Sequence, residues 1–297
     1  MPVKNYHPRF LQQALESLFA QTSPNWRLLV ILEPQADAAL KALLSGLQDQ
    51  PRTRVIINQG RGLAGAFNTG MRAAETEFVA ILLSDDLWTP TAIEVLASRI
   101  HACPEVDLHH TALRVVDDAG GPISSVRHPP ERVSLTDFVR GSPVKHLLCW
   151  RRAKALSFGG MDESLNNVGP DDYDFPWTML EHGAVIRSLD ECLYKYRDHR
   201  ESYRLTTHLP VSVHVRELRR ILQKHRVPAE LAGWRIRTAR QSFLRQCLYR
   251  NELDRWLREK IIAADPRKGW REPLIWSTQT HRGSSDQISG RARDASY

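Results

Sequence analysis

Phe78-Val79-Ala80-Ile81-Leu82-Leu83-Ser84-Asp85-Asp86 is the stretch that decides the fold. Six apolar residues without a polar interruption read as a short strand buried on both faces, the kind found in parallel sheets. Thr89-Pro90 follows at once as a helix start, with Thr as N-cap and Pro at the first position, for a helix running to about His101. The same alternation repeats upstream. Leu11, Ala14, Leu15 and Leu18 lie on one helical face after Pro8, and Arg27–Leu32 is a second apolar strand. Residues 36–48 read as helix, Val55-Ile56-Ile57 as strand, and residues 63–75 as a helix rich in small side chains. Short buried strands separated by helices predict an α/β fold with a doubly wound, mainly parallel sheet. Ligands on such sheets bind beyond the carboxyl ends of the strands, just after Leu32, Ile57 and Leu83 here.

Downstream, Asp117-Asp118-Ala119-Gly120-Gly121 is a turn between two strand-like runs, and His146–Trp150 is a strand. Arg151–Leu156 is a short helix stopped by Gly159-Gly160, and Asp172–His182 a helix stopped by Gly183. Ala184–Leu189 and Cys192–Tyr196 read as two strands, and beyond about residue 208 the pattern is helical. Phe243, Leu244, Leu248, Trp256 and Leu257 supply apolar positions there among many arginines. The aromatic-poor, Ser/Gly/Arg-rich residues 277–297 are expected to be disordered. The expected organisation is therefore a catalytic-type domain over 1–207, a basic helical extension over 208–276 and a tail over 277–297.

With 297 residues, 42% of them hydrophobic, the chain can build a sizeable core. It has no apolar run of about 18 residues, as a spanning helix requires, and no signal-peptide pattern. Cys103, Cys149, Cys192 and Cys247 form no CxxC pair, which excludes a zinc ribbon and suits a reducing, cytoplasmic setting. The net charge of +7 is uneven: residues 200–297 carry 21 Lys/Arg against 10 Asp/Glu. A basic surface of this kind is either a solvated helix face or a peripheral contact with the anionic inner face of a membrane. No zinc finger, recognition helix or aromatic platform points to nucleic acid.

Three segments carry chemistry. Asp85-Asp86, at a strand end, suits a hard cation such as Mn²⁺ or Mg²⁺ bridging diphosphate oxygens, and suits equally a loop leading into a helix. Asp171, Asp172 and Asp174 crowd a helix N-terminus. The helix dipole favours carboxylates there, but three exceed what capping needs, and their repulsion raises at least one pKa toward that of a general base. Gly62–Gly70 is nearly free of bulk, which allows close approach of a ligand or tight helix–sheet packing.

Taken in order, these motifs resemble the family 2 glycosyltransferases of the GT-A fold over about residues 1–205. Met1–Asn5 is similar to the end of the family's first strand, Gly62–Gly70 to its A-R-N-x-G segment and Ser84-Asp85-Asp86 to its DxD motif. Gly159-Gly160-Met161-Asp162-Glu163 resembles G-G-F-D-E, Asp171-Asp172 the E-D pair, and Leu193–His199 the L-Y-x-Y-R-x-H segment. The resemblance implies inverting transfer from a nucleotide-sugar donor to a glycan, lipid-linked or small-molecule acceptor, assisted by Mn²⁺ or Mg²⁺. It assigns Asp172, with Asp171 beside it, as the base, and Asp85 with His199 to the metal. Pro2, Val3 and Glu33 would surround the nucleotide base, with Asn68, Ser84, Asp85 and Asp86 completing the donor contacts. Gly160, Met161 and Asp162 would lie on the acceptor side.

The chain departs from the pattern at Leu83, in place of the first DxD aspartate, at Leu32-Glu33, in place of an acidic pair, and at Phe67, in place of the arginine. The first strand is nearly absent, which predicts either a start upstream of Met1 or loss of that strand. Competing readings are a nucleotidyltransferase or other diphosphate-handling enzyme, and a non-catalytic protein with a decayed nucleotide site.

Overall fold

The computed structural model describes residues 1–4, 6–47, 49–165, 170–198 and 210–249, with side chains to residue 242. Its first sheet is entirely parallel and has the order β1 (Pro2–Val3), β2 (Leu28–Leu32), β3 (Thr53–Ile57). The first strand is thus present but two residues long, in register with Ile31 and Leu32. The Met1 ammonium donates to Leu29 O at 2.8 Å, and burial pushes its pKa down to about 5. Val30 is fully buried and Ile31 and Leu32 nearly so, each such side chain contributing about 1.5–3 kcal/mol. Helix α1 (Pro8–Phe19) begins on its proline and buries Phe10, Leu11, Ala14, Leu15 and Leu18, the expected stripe. Helix α2 (Ala38–Ser45) is capped by Asp37, whose carboxylate accepts from Leu40 N at 2.6 Å.

Helix α3 (Gly62–Ala73) shows why its sequence is small. A Cβ on Gly65 would fall 2.4 Å from the carbonyl carbon of Gly60, so helix and loop touch backbone to backbone. The second sheet is mixed, and the parallel expectation therefore describes β1–β3 and the central pair of this second sheet. Its order is β4 (Phe78–Ala80), β8 (Leu148–Arg151), β6 (Leu108–Val116), β9 (Ile186–Arg197), β5 (Leu87–Trp88), with β7 (Pro122–Arg127) also on β6. Only β6 and β9 run parallel; the other pairs are antiparallel.

Several elements differ from the sequence reading. The strand from Phe78 leaves its ladder after Ala80, although Ile81 and Leu82 stay buried and Ile81 N still donates to Leu148 O at 3.1 Å. Helix α4 starts at Ala92, not Pro90, because residues 89–90 bond elsewhere: Thr22 N donates to Pro90 O and Thr89 N to Leu193 O. Gln21 Oε1 then receives Ile93 N, so a side chain from after α1 serves as its cap. The two strands expected over 184–196 are one, β9, in which Thr111 faces Leu189 and Ala112 faces Cys192. Asp190 and Glu191 are therefore bulged out rather than turned. Helix α5 (Leu135–Arg140), held by a Ser134/Asp137 capping box, was not expected.

Helix α6 (Arg152–Ser157) ends before the two glycines, as expected. The expected helix from Asp172 is a π-helical turn, Pro170–Asp174, followed by α7 (Phe175–Glu181). Helices α8 (Val211–Lys224) and α9 (Ala229–Tyr249) follow. Residues 1–244 form one compact unit. Residues 250–297, with the boundary at 276/277, lie outside the described residues. No helix among the described residues is long and apolar enough to cross a membrane.

Candidate active site

The loops that leave β2 and β3 are joined by a side-chain hydrogen bond. After β2, Glu33 accepts from Asn58 Nδ2 at 3.0 Å. Asn58, which follows β3, is itself buried, and its Oδ1 receives Gly60 N at 2.9 Å and Thr69 Oγ1 at 3.1 Å. Pro2 and Val3 are buried in the sheet. Asn68 is 2% exposed and spends its whole amide on the Gly160–Glu163 segment. Its Oδ1 accepts from Met161 N at 2.8 Å, while Nδ2 donates to Met161 O at 2.8 Å and Glu163 Oε1 at 2.9 Å. Gly160 has φ +82°, and a Cβ there would stand 2.4 Å from Asn68 Oδ1. The expected donor residue is thus a clip for the expected acceptor segment. Phe67 and Leu83, two departures from the family pattern, both pack into the second hydrophobic cluster.

After β4, Ser84 and Asp85 are half-buried while Asp86 is 1% exposed. Both oxygens of Asp86 are taken: Tyr194 OH donates at 2.6 Å and Arg197 N at 2.7 Å. Burial and the neighbouring Asp85 charge push its pKa up to about 7, against those two bonds. Arg197 gathers the loops around it. Its guanidinium donates to Asp85 O at 2.8 Å, Asp118 O at 2.7 Å and Gln13 Oε1 at 2.9 Å, over the Phe10 ring at 4.5 Å.

The second acidic pair rides on the π-helical turn, a geometry that is rare and concentrated at functional sites. Asp171 is 6% exposed, with Oδ2 at 3.4 Å from His146 Nε2. Tyr173 OH donates to Phe138 O at 2.8 Å. Asp174 accepts from Lys224 Nζ at 2.7 Å and pairs with His225 Nε2 at 3.0 Å. The backbone oxygen of Asp172 is held by Ser142 Oγ at 2.6 Å. Its carboxylate has no side-chain hydrogen bond or ion pair among the described residues. Burial and the Asp171 charge push its pKa up to about 6, with His146 and Lys145 acting in the opposite direction.

The two acidic pairs are physically connected. The His146 ring stacks on Tyr194 at 5.2 Å, so Asp86, Tyr194, His146 and Asp171 form one chain of contacts. The pKa of His146 is raised, because Asp171, Asp172 and Asp86 together outweigh its burial. His199, expected at the metal, lies outside the described residues.

Residues 1–132 match the family described as glycosyl transferase family 2. This part of the chain is similar to the family 2 glycosyltransferases. It is 27% identical over 202 residues to the O-antigen biosynthesis protein RfbC of Myxococcus xanthus, covering 66% of this chain and 15% of RfbC. It is 26% identical over 193 residues to the amylovoran biosynthesis glycosyltransferase AmsE of Erwinia amylovora, covering 64% of this chain and 71% of AmsE. The chain spans less than two thirds of the length of RfbC and of several other curated relatives. Among solved structures, S. aureus TarS 1–349 in complex with UDP-GlcNAc superposes with a TM-score of 0.58 at 19% identity, over 84% of this chain and 70% of TarS. That likeness establishes the fold as GT-A.

The sequence alone gives no role to His146, Tyr194 or Arg197. Arg197 carried a signal: a cation closing an aromatic strand is costly unless acidic partners wait for it. His146 carried none, since 25 residues separate it from Asp171.

Proposed function

We propose that the domain transfers a sugar from a nucleoside-diphosphate sugar to an acceptor hydroxyl with inversion, and that Asp172 is the general base. One observation carries this reading. Among the four consecutive side chains of the turn, Asp171, Tyr173 and Asp174 are each fastened, and Asp172 alone has a carboxylate with no side-chain hydrogen bond or ion pair among the described residues. Its pKa near 6 leaves it ionised at neutral pH yet basic enough to accept a proton as the acceptor oxygen attacks. Inversion needs a single displacement and one base, unlike the paired nucleophile and acid of a retaining hydrolase. The UDP-GlcNAc complex of TarS supports a nucleoside-diphosphate sugar as donor. The names of RfbC and AmsE support a surface-glycan acceptor, lipid-linked or free.

We assign a divalent cation to Asp85 rather than to Asp86, whose two oxygens are committed to Tyr194 and Arg197. A Mg²⁺-type ion takes one or two carboxylates and completes its shell with substrate phosphates and water, so one aspartate is a sufficient protein ligand. No group of three His, Cys, Asp or Glu among the described residues could hold a metal alone. When bound, such a cation would neutralise charge on the departing diphosphate. We place the protein in the cytoplasm, with its basic C-terminal region resting on anionic lipid.

A panel of nucleoside-diphosphate sugars with Mn²⁺ or Mg²⁺, offered with glycan, lipid-linked and small-molecule acceptors, tests the reading. The expected outcome is diphosphate release with an inverted anomeric centre by NMR. The kcat/KM should rise through about pH 6 and level above pH 7, since only the ionised base works. A retained configuration, or no transfer from any donor, contradicts it.

A further inference from the structure

We infer that Lys224 and His225, at the end of α8, are positioning residues: they clamp the Pro170–Asp174 turn to the Asp162 segment and so fix where the Asp172 carboxylate stands. The inference rests on the reading of Asp172 as the base. Asp174 closes the same turn two residues later and is 1% exposed. Both of its oxygens are met from α8, by Lys224 Nζ at 2.7 Å and His225 Nε2 at 3.0 Å. A buried carboxylate is tolerated only with such partners, so the turn cannot shift without breaking them.

Lys224 does more than neutralise Asp174. Its ammonium also lies 3.2 Å from Asp162 Oδ2, so one charge spans the turn and the Gly160–Asp162 segment. His225 cannot swing away. Its ring lies flat on Trp177 at 4.1 Å and 6°, and Nδ1 stands 2.9 Å from Glu181 Oε2 at the far end of α7. Helix α8 has its own apolar anchorage, through Leu218, Ile221 and Leu222 in the cluster that holds Met161, Tyr173 and Trp177. The polar pair is therefore not required to attach the helix, and its two acidic targets belong to separate segments of the site. The basic region that reads as an appendage by composition thus reaches the catalytic turn.

The test compares full-length wild type, Lys224→Met and Lys224→Arg by hydrogen–deuterium exchange and by transfer kinetics. For Lys224→Met we expect exchange over residues 170–176 to quicken at least tenfold while β2 and β9 stay protected. The kcat should fall about tenfold and the acceptor KM rise, since small misplacements of a reacting group are costly. The Kd for nucleoside diphosphate should hold within about twofold, and Lys224→Arg should restore the rate, because the arginine keeps the charge that spans both carboxylates. Lys224→Gln serves as the second variant if the methionine variant does not fold. Unchanged exchange and kcat in a folded variant would overturn the clamp. So would loss of protection spread evenly over the domain, which marks a purely structural role. A wild type that transfers no sugar defeats the activity reading instead, and the exchange data then decide the clamp alone.

Discussion

The two aspartate pairs, Asp85-Asp86 and Asp171-Asp172, sit on unrelated elements and are built alike. In each, one carboxylate is an anchor. Asp86 is bonded by Tyr194 and Arg197, and Asp171 is paired with His146. In each, the neighbouring carboxylate, Asp85 or Asp172, is only half-buried. The lesson is that two adjacent carboxylates need not share one job. Crowding them raises a pKa, and burial with bonded partners sets one of them apart from its neighbour. The stack of His146 on Tyr194 joins the two anchors, so the loops are set relative to each other by buried groups that need not touch a substrate.

The contrast can be broken most severely at Asp172. Asp172→Asn should lower kcat by about 10²–10⁴ and leave nucleoside-diphosphate affinity in place, because it removes a proton acceptor and not an anchor. Single-turnover rates and calorimetric binding check this, and a variant with wild-type turnover would make Asp172 a mere turn residue. Next in size is Arg197→Met. It strands the carbonyls of Asp85 and Asp118 and leaves the buried acid with one fewer neighbouring charge, at a cost of about 3–5 kcal/mol in urea unfolding. Tyr194→Phe removes one bond to Asp86 and should cost about 1–3 kcal/mol. Asp85→Ala should weaken nucleoside-diphosphate binding only when Mn²⁺ is present, seen by titration with and without the ion. Equal weakening in both conditions would remove Asp85 from the cation.

The sequence makes the anchors harder to see than the strands. Leu28–Leu32 is legible because an uninterrupted apolar run has few other homes, and α1 because its stripe follows a proline. The two-residue strand β5 is too short to carry a pattern, and β9 hides its bulge because the charged Asp190-Glu191 interrupts its apolar pattern and divides it into two strands. At the site, the acidic pairs stand out by charge alone. Which member is fastened depends on His146, just before β8, and on Tyr194 and Arg197 of β9. Asn68 illustrates the limit: position in a motif suggests a ligand contact, whereas its amide is wholly spent on Met161 and Glu163.

The smallest effect is also the most direct test: the melting temperatures of Asp171→Asn and Asp172→Asn, measured side by side at pH 7. Asp172 has a raised pKa in the folded chain, so relative to its unfolded value it stabilises at low pH. That contribution is lost as pH climbs through about 6. At pH 7 its charge is a burden, and Asp172→Asn should melt at or above the wild-type temperature. Asp171→Asn gives up a charge-assisted contact with buried His146, worth about 1–2 kcal/mol, and should melt several degrees lower. Equal falls in both variants, or a fall confined to Asp172→Asn, would contradict the division of this pair into an anchor and a working carboxylate.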